Sequence, residues 1–507
     1  MPKKLFVTIL MLSCLQVVIL DKGTGTSTDD SLNIVSTGEK TAAYWLAQAR
    51  AAVEAKANRA RNTKKAKNVI MFLGDGMSHQ TIAAARLALG NENKKLSFES
   101  FPSVGSSKTF CVDVQVADSA CTSTAYLNGV KANFLTIGVN PNAKYKNCND
   151  NVDRTKWTSS IAQWFQNAGR SAGIVTTTRI THASPAGAFA HITDRNWEAN
   201  VNVSSGGCDD NIVDDISEQL VNGEVGSKFK VILGGGSENF IDSSFTEHGV
   251  SGMRSDGKNL INEWTSKSNK RSFVRNRSEM MAVDPKKVDQ LFGLFHSDHI
   301  PYHLETVSKN EQSIYPTITE MTMKAIDMLS TDTDGYFLFV EGGKIDHGHH
   351  ATQARYAIDE TIEFSKAIQA TVDRVNLDET LIVVTADHGH VMSYSGNAPR
   401  GNDIFSTAGT ADDAMKYYTL SYANGPGYFF NRKPGARVDP ATQQSTANSF
   451  LFPAMAPNEI ETHGGDDVGI FATGPNAHLF TGVMEQYIIP HKMAYISCVG
   501  SGTTLCS

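Results

Sequence analysis

Six short apolar runs punctuate the chain, each ending in glycine or a polar residue. They are residues 68–76 (NVIMFLGDG), 171–179 (SAGIVTTTR), 230–236 (KVILGGG), 336–343 (YFLFVEGG), 380–390 (TLIVVTADHGH) and 468–474 (VGIFATG). All are rich in Val, Ile and Phe without polar alternation, the pattern of strands buried on both faces. Segments of helical period lie between them. In residues 351–375, for example, Ala354, Ile358, Ile362, Ile368, Val372 and Val375 recur mostly three or four apart. Strands alternating with helices predict an α/β fold whose large, mainly parallel central sheet is covered by helices on both faces. No internal repeat interrupts this pattern. Residues 393–460, rich in Gly, Pro, Ala and Asn, read as a loop-rich insertion within one domain of residues 40–507.

The ends of the chain change the picture of where it works. Lys3 and Lys4 precede an apolar run from Leu5 to Leu20, which reads as a signal peptide of about residues 1–22. That run is short for a membrane span, and no second one follows. No apolar tail closes the chain, so no glycolipid anchor is expected. The mature protein is expected to be soluble, secreted and extracellular. Six cysteines remain beyond the signal, at 111, 121, 148, 208, 498 and 506, an even number that suits an oxidising compartment and allows 15 pairings. Asn202 and Asn276 each open a glycosylation sequon. The net charge of −7 gives no electrostatic reason to expect nucleic acid, and the basic residues 56–67 read as a solvated helix end and linker.

Candidate chemistry sits just past the apolar runs: Asp75, Glu341 with Asp346, and Asp387 with His388. In open α/β sheets ligands collect beyond the carboxyl ends of the strands. Carboxylates at three such exits would repel one another unless cations lie among them. Asp346 and His350, spaced i, i+4, share one helix face, and His463 in ETHGGDD offers another imidazole. Mixed His/Asp ligands without cysteine suit catalytic zinc, and an Asp/Glu/Ser set suits magnesium. Ser119 stands between Asp118 and a run of small residues, with no histidine nearby in sequence to activate it.

The motifs FLGDGM (72–77), ADSACTSTAYLNGVKAN (117–133), TRITHASPAGAFAHITDRNW (178–197), FLFVEGGKIDHGHH (337–350), VTADHGH (384–390) and THGGDDVGIFATGP (462–475) resemble those of animal alkaline phosphatases, in family order from about Lys67 to Cys506. The resemblance implies a homodimeric, secreted phosphomonoester hydrolase working through a phosphoserine, with residues 41–60 available as an arm. It implies that Asp346, His350 and His463 hold one zinc and that Asp75, Asp387 and His388 hold a second, beside the nucleophile Ser119. Ser184 and Glu341, with Asp75, would hold one magnesium. His182 and His347 would stand close by, and Arg195 would bind phosphate. His296 and Tyr315 occupy positions where mammalian members carry carboxylates, which argues against their calcium site. His296, His299 and His303 raise the alternative of a different metal, against the plainer reading of an exposed polar loop.

The resemblance also implies the pairs Cys148–Cys208 and Cys498–Cys506. Cys111 and Cys121 have no counterparts in the mammalian pattern. They flank the nucleophile ten positions apart, and passage through an oxidising compartment favours their pairing. A loop that size removes roughly 2–3 kcal/mol of unfolded-state freedom in the chain-entropy model. Two rival functions stand beside this one. A sulfatase or diesterase would need a Cys/Ser-x-Pro-x-Arg motif for the former, which SACTS is not. A catalytically impaired relative acting as a secreted binding protein would be expected to have lost a ligand, and none is lost.

Overall fold

The computed structural model describes residue 36 and residues 38–500. The described chain divides into two units at the boundary between Arg50 and Ala51. In the first, the described part is a 3-10 turn, Gly38–Lys40, and the opening of the helix Ala42–Ala57, with no buried residue. The expected signal segment and Cys506 lie outside the described residues.

The second unit is organised by a ten-stranded sheet. In chain order its strands are β1 (Asn68–Gly74), β2 (Ser103–Lys108), β3 (Ser171–Arg179), β4 (Val231–Gly235), β5 (Arg271–Val274), β6 (Gln290–Leu294), β7 (Tyr336–Gly342), β8 (Thr380–Ala386), β9 (Val468–Thr473) and β10 (Gly482–Glu485). Their spatial order is β10-β2-β9-β8-β1-β7-β3-β4-β6-β5. Only β9 runs against its neighbours; every other pairing is parallel. The expected mainly parallel α/β architecture is therefore what the chain forms.

The centre of the sheet explains why its strands read as unbroken apolar runs. Val69, Met71 and Leu73 of β1 enter one core cluster while Ile70 and Phe72 enter the other. Phe337 and Phe339 of β7 alternate with Leu338 and Val340 in the same way. Both faces are covered, so both sets must be apolar. The helix α3 (Ala354–Arg374) lies over the second face, and its Phe364 ring meets Phe72 edge-on at 5.8 Å. Deleting that ring costs about 3–5 kcal/mol on the scale of buried Phe→Ala changes.

The predicted helix of residues 351–375 begins later than its periodicity suggests. Thr352, with φ of 54°, breaks it from a preceding short helix, α2 (Lys344–His350). That break leaves α2 free to point Asp346 and His350 past the end of β7. Strands β2, β5, β6 and β10 carry no long apolar run and were invisible to pattern reading. Residues 393–460 carry small irregular strands, among them a three-stranded sheet of Met392–Tyr394, Leu420–Gly425 and Ala454–Pro457. A two-residue ladder pairs Gly389–His390 with His463–Gly464 and closes the two ends of that excursion. His463, more than seventy residues from β8, is thereby carried back to its exit.

Candidate metal centre and nucleophile

Three central strand exits meet at one place. Asp75 follows β1, Glu341 closes β7 ahead of α2, and Asp387 and His388 follow β8; all four are fully buried. Gly76 makes the approach possible. Its φ is 68°, and a Cβ there would lie 2.4 Å from the His390 ring and 3.2 Å from the Asp346 Cα. Only glycine fits both that backbone and that space.

Ser119 opens the helix α1 (Ser119–Asn128), every residue of which is buried. Asp118 caps it, its carboxylate accepting from the Ala120 N–H at 3.1 Å, and Gly129 in the left-handed region (φ 72°) ends it. The Ser119 hydroxyl therefore sits at the positive end of a buried helix dipole, a suitable place for an anion. Arg195 is brought there from the loop after the short helix Ala183–Ala186. Its Nη1 donates to Asp118 Oδ2 at 2.9 Å and its Nη2 lies 2.9 Å from His182 Nε2. Those two contacts leave other guanidinium N–H groups for phosphate oxygens.

Side chains able to hold a metal gather in overlapping groups, among them Asp346, His350, His390 and His463; Asp75, Asp346 and His388; and Asp75, His182 and Glu341. In the first, His463 Nε2 lies 3.1 Å from His350 Nε2 and 3.4 Å from Asp346 Oδ1. In the second, His388 Nε2 lies 3.3 Å from Ser119 Oγ, 3.1 Å from Asp387 Oδ2 and 3.6 Å from Asp75 Oδ1. A Ser–His–Asp relay would place the carboxylate on the other ring nitrogen. Here Nδ1 faces the Gly389 carbonyl at 3.3 Å. One nitrogen facing three oxygens is ligand geometry, not a relay.

Both Asp75 carboxylate oxygens, Asp387 Oδ2, Glu341 Oε1, Ser184 Oγ and His182 Nδ1 are buried without a hydrogen-bond partner. Orphans of this kind are expensive unless an ion satisfies them. Burial, then the neighbouring Asp387, Asp346 and Glu341, push the Asp75 carboxyl well above its ordinary range. Burial pushes Glu341 up to about 7, against hydrogen bonds from Thr176 and Thr178. Asp387 is raised as well, first by burial. The residues fit divalent cations by donor chemistry and by orphaned atoms alike.

Two participants escaped the sequence reading. His390 Nε2 lies 2.7 Å from Asp346 Oδ1, and its Nδ1 lies 2.5 Å from Glu461 Oε2. Burial disfavours its charge, but the two carboxylates prevail and raise its pKa to about 10. His390 is thus clamped between two carboxylates, orienting Asp346. Its signal was the second histidine of VTADHGH; that of Glu461 was its place two residues before His463.

The histidines of 296–303 do not form one set. His296 accepts from the Asp298 N–H at 3.1 Å. His299 joins His182 and His347, packing edge-on against the His347 ring at 4.3 Å. His303 Nδ1 lies 2.8 Å from Asp359. Nor are they an exposed loop, since all three are at least half-buried. Cys111–Cys121 and Cys148–Cys208 are both bonded, with Cα–Cα distances of 5.8 and 5.6 Å. Cys498 is also disulfide-bonded, and its expected partner, Cys506, lies outside the described residues. Asn202 and Asn276 are half-buried, and their side-chain oxygens accept backbone N–H groups of Ala199 and Glu279.

Comparison with known proteins agrees with this geometry. The alkaline phosphatase family model matches residues 66–499. The membrane-bound alkaline phosphatase of Bombyx mori is 45% identical over 488 residues, covering 93% of this chain and 88% of its own. The human tissue-nonspecific isozyme is 39% identical, covering 94% and 92%. The solved structure of the alkaline phosphatase from the Antarctic bacterium TAB5 shares the fold, with a TM-score of 0.59 at 21% identity over 86% of this chain and 99% of that one. The chain belongs to the alkaline phosphatase family. It is a phosphomonoester hydrolase of the animal branch of sequences. Among the described residues no helix is long and apolar enough to cross a membrane.

Proposed function

We propose that Ser119 is the nucleophile and that the acidic, histidine and serine side chains gathered beside it hold two zinc ions and one magnesium. Asp346, His350 and His463 would take one zinc, and Asp75, Asp387 and His388 the second. Asp75, Ser184 and Glu341 would take magnesium, with His182 and His347 close by. The observation that carries this reading is the convergence of orphaned buried oxygens from three strand exits beside a serine at a helix N-terminus. Bound zinc would supply Lewis-acid stabilisation of the serine alkoxide and of the leaving oxygen.

The chain's own groups do the rest. Arg195, aimed by Asp118 and His182, grips two phosphate oxygens in a planar fork that lysine cannot match. Ser119 Oγ attacks phosphorus, the alcohol leaves, and water cleaves the phosphoserine. His390 and Glu461 keep Asp346 in place through the cycle. Little of the leaving alcohol is gripped in this arrangement, which favours broad phosphomonoester use.

The test is an aryl phosphate assay on the purified protein, with metal analysis. We expect a chelator to abolish turnover and zinc to restore it. Full activity of metal-free protein would overturn the reading. Secretion after removal of residues 1–22, glycans at Asn202 and Asn276, and a homodimer using residues 41–60 belong to the same proposal. Light scattering at a monomer mass across working concentrations would reject the dimer.

A further inference from the structure

The loop between β2 and α1 has no regular structure over residues 109–118, yet two parts of the site depend on its last two residues. The Ala117 carbonyl accepts from His463 Nδ1 at 2.7 Å, which fixes the tautomer that turns Nε2 toward His350 and Asp346. The Asp118 carboxylate receives N–H groups from Ala120 and from Leu135, and the Arg195 guanidinium. A loop ending in two such tasks must be held in register.

Much of its apolar surface is left to solvent. Phe110, Val112 and Val116 are 42%, 50% and 40% exposed, an apolar face turned to solvent. Its buried anchor is a small satellite cluster, apart from the two main cores, of Cys111, Ala117, Cys121 and Ala132. Two of those four residues are the disulfide, each 2% exposed. Cys121 is the third residue of α1, so the bond ties the start of the loop to the first turn of the nucleophile helix. Besides the bond, Val112 N–H to Ala132 O at 3.0 Å and Phe134 N–H to Asp113 Oδ1 at 2.8 Å hold the loop's first half, and Leu135 N–H to Asp118 Oδ1 at 3.0 Å holds its end. The closed ring spans Ala117 and Asp118 and packs Ala117 against both cysteines.

We infer that Cys111 and Cys121 are positioning residues, whose disulfide holds the Ala117–Asp118 corner so that Asp118 aims Arg195 at phosphate and the Ala117 carbonyl orients His463. This rests on the phosphate-binding role proposed for Arg195. Loop closure lowers the entropy of the unfolded chain wherever it occurs. A merely structural bond would therefore lower stability and leave phosphate affinity alone.

The experiment uses the full-length, metal-loaded Cys111→Ala/Cys121→Ala protein, with inorganic phosphate as competitive inhibitor. We expect its inhibition constant to rise about tenfold. In an Asp118→Ala background the same pair of changes should alter it less than twofold, because the link to Arg195 is already cut. An unchanged constant in the double variant would overturn the inference, as would an equal tenfold rise in the Asp118→Ala background. Arg195→Ala separates this from the underlying reading. If that variant binds phosphate like the wild type, the role of Arg195 falls; if it binds weakly while the cysteine variant does not, only the positioning role falls. Should the double variant not be secreted, the wild type is reduced with a dithiol and alkylated, with peptide mapping at both cysteines. Modified protein that keeps its phosphate affinity overturns the inference, and a tenfold loss supports it.

Discussion

Two buried charge clusters in this protein balance their charges in opposite ways. Around Arg254, which is fully buried, Asp215 and Asp256 lie 2.8 and 2.6 Å away and Glu218 3.8 Å away, while Lys258 pairs with Glu218 at 2.7 Å. Each carboxylate there has a cation from the chain itself. At the carboxyl edge of the sheet, Asp75, Glu341, Asp346 and Asp387 crowd together, and Arg195 is already paired with Asp118. Burial alone does not separate the two clusters, because it pushes Asp215 up to about 7 even beside Arg254. What separates them is a cation of the chain itself: Asp215 has Arg254, whereas among the described residues no Lys or Arg pairs with Asp75, Glu341 or Asp387, a surplus of acid that marks the second cluster as built for ions from outside.

The comparison breaks most sharply under substitution. Ser119→Ala should lower turnover by roughly a thousandfold or more, with no trappable phosphoenzyme, while zinc content stays at the wild-type level. Near-normal turnover would remove Ser119 from the reaction. Arg254→Ala should do the reverse. It strands Asp215 and Asp256 and should cost about 3–5 kcal/mol of stability, read from a urea midpoint. Turnover per folded molecule and metal content should not change; a loss of bound zinc would show that the two clusters are coupled.

Much of this division was legible in the sequence, for a physical reason. Strands buried on both faces cannot alternate, so β1, β7 and β8 announced themselves, and the acidic residues at their exits could be named. The strand β2, SVGSSK, turns alternate residues toward solvent and carries small side chains, so no run marked it. His390 was in view within VTADHGH, but its role depends on Glu461, seventy-one residues away, and on the ladder that brings the two together. The grouping of His296, His299 and His303 failed for a related reason. Proximity in sequence placed them together, whereas the loop sends each to a different partner. Charge balance is a property of contacts, and local spacing does not contain it.

A third way of burying a titratable group is to keep it neutral, and it calibrates the other two. His191 stacks on Trp157 at 4.4 Å and its Nδ1 lies 2.8 Å from the Gly138 carbonyl. Burial lowers its pKa to about 4. Because the folded value lies below that of the unfolded chain, its contribution is fully present above about pH 6.5. As pH falls toward 4 the unfolded state takes up a proton that the folded state refuses, and the contribution is lost. At about 1.4 kcal/mol per pH unit the loss approaches about 3 kcal/mol. His191→Gln, compared with wild type in chelator-treated protein, should flatten the fall in stability across that window. Parallel curves for the two proteins would mean that His191 titrates normally.

The smallest expected effect is the most discriminating, because it changes sign. With a divalent cation bound, Asp75 is a ligand, and Asp75→Asn should lower the melting temperature. Without one, Asp75 is a buried acid with two unpartnered oxygens among other carboxylates. Its folded pKa lies above the unfolded value, so ionising it costs the folded state more as pH rises. Replacing it with a neutral amide removes that cost, so at pH 9 Asp75→Asn should stabilise the metal-free protein by about 1–2 kcal/mol. The same substitution in the balanced cluster, Asp215→Asn, should destabilise the protein with or without metal, because it takes a partner from Arg254. Melts of both variants in zinc and in chelator give four numbers, and only the surplus-acid account predicts a sign change for Asp75 alone. If Asp75→Asn lowers stability in chelator as well, its oxygens are held by the chain itself, and the contrast between the clusters disappears.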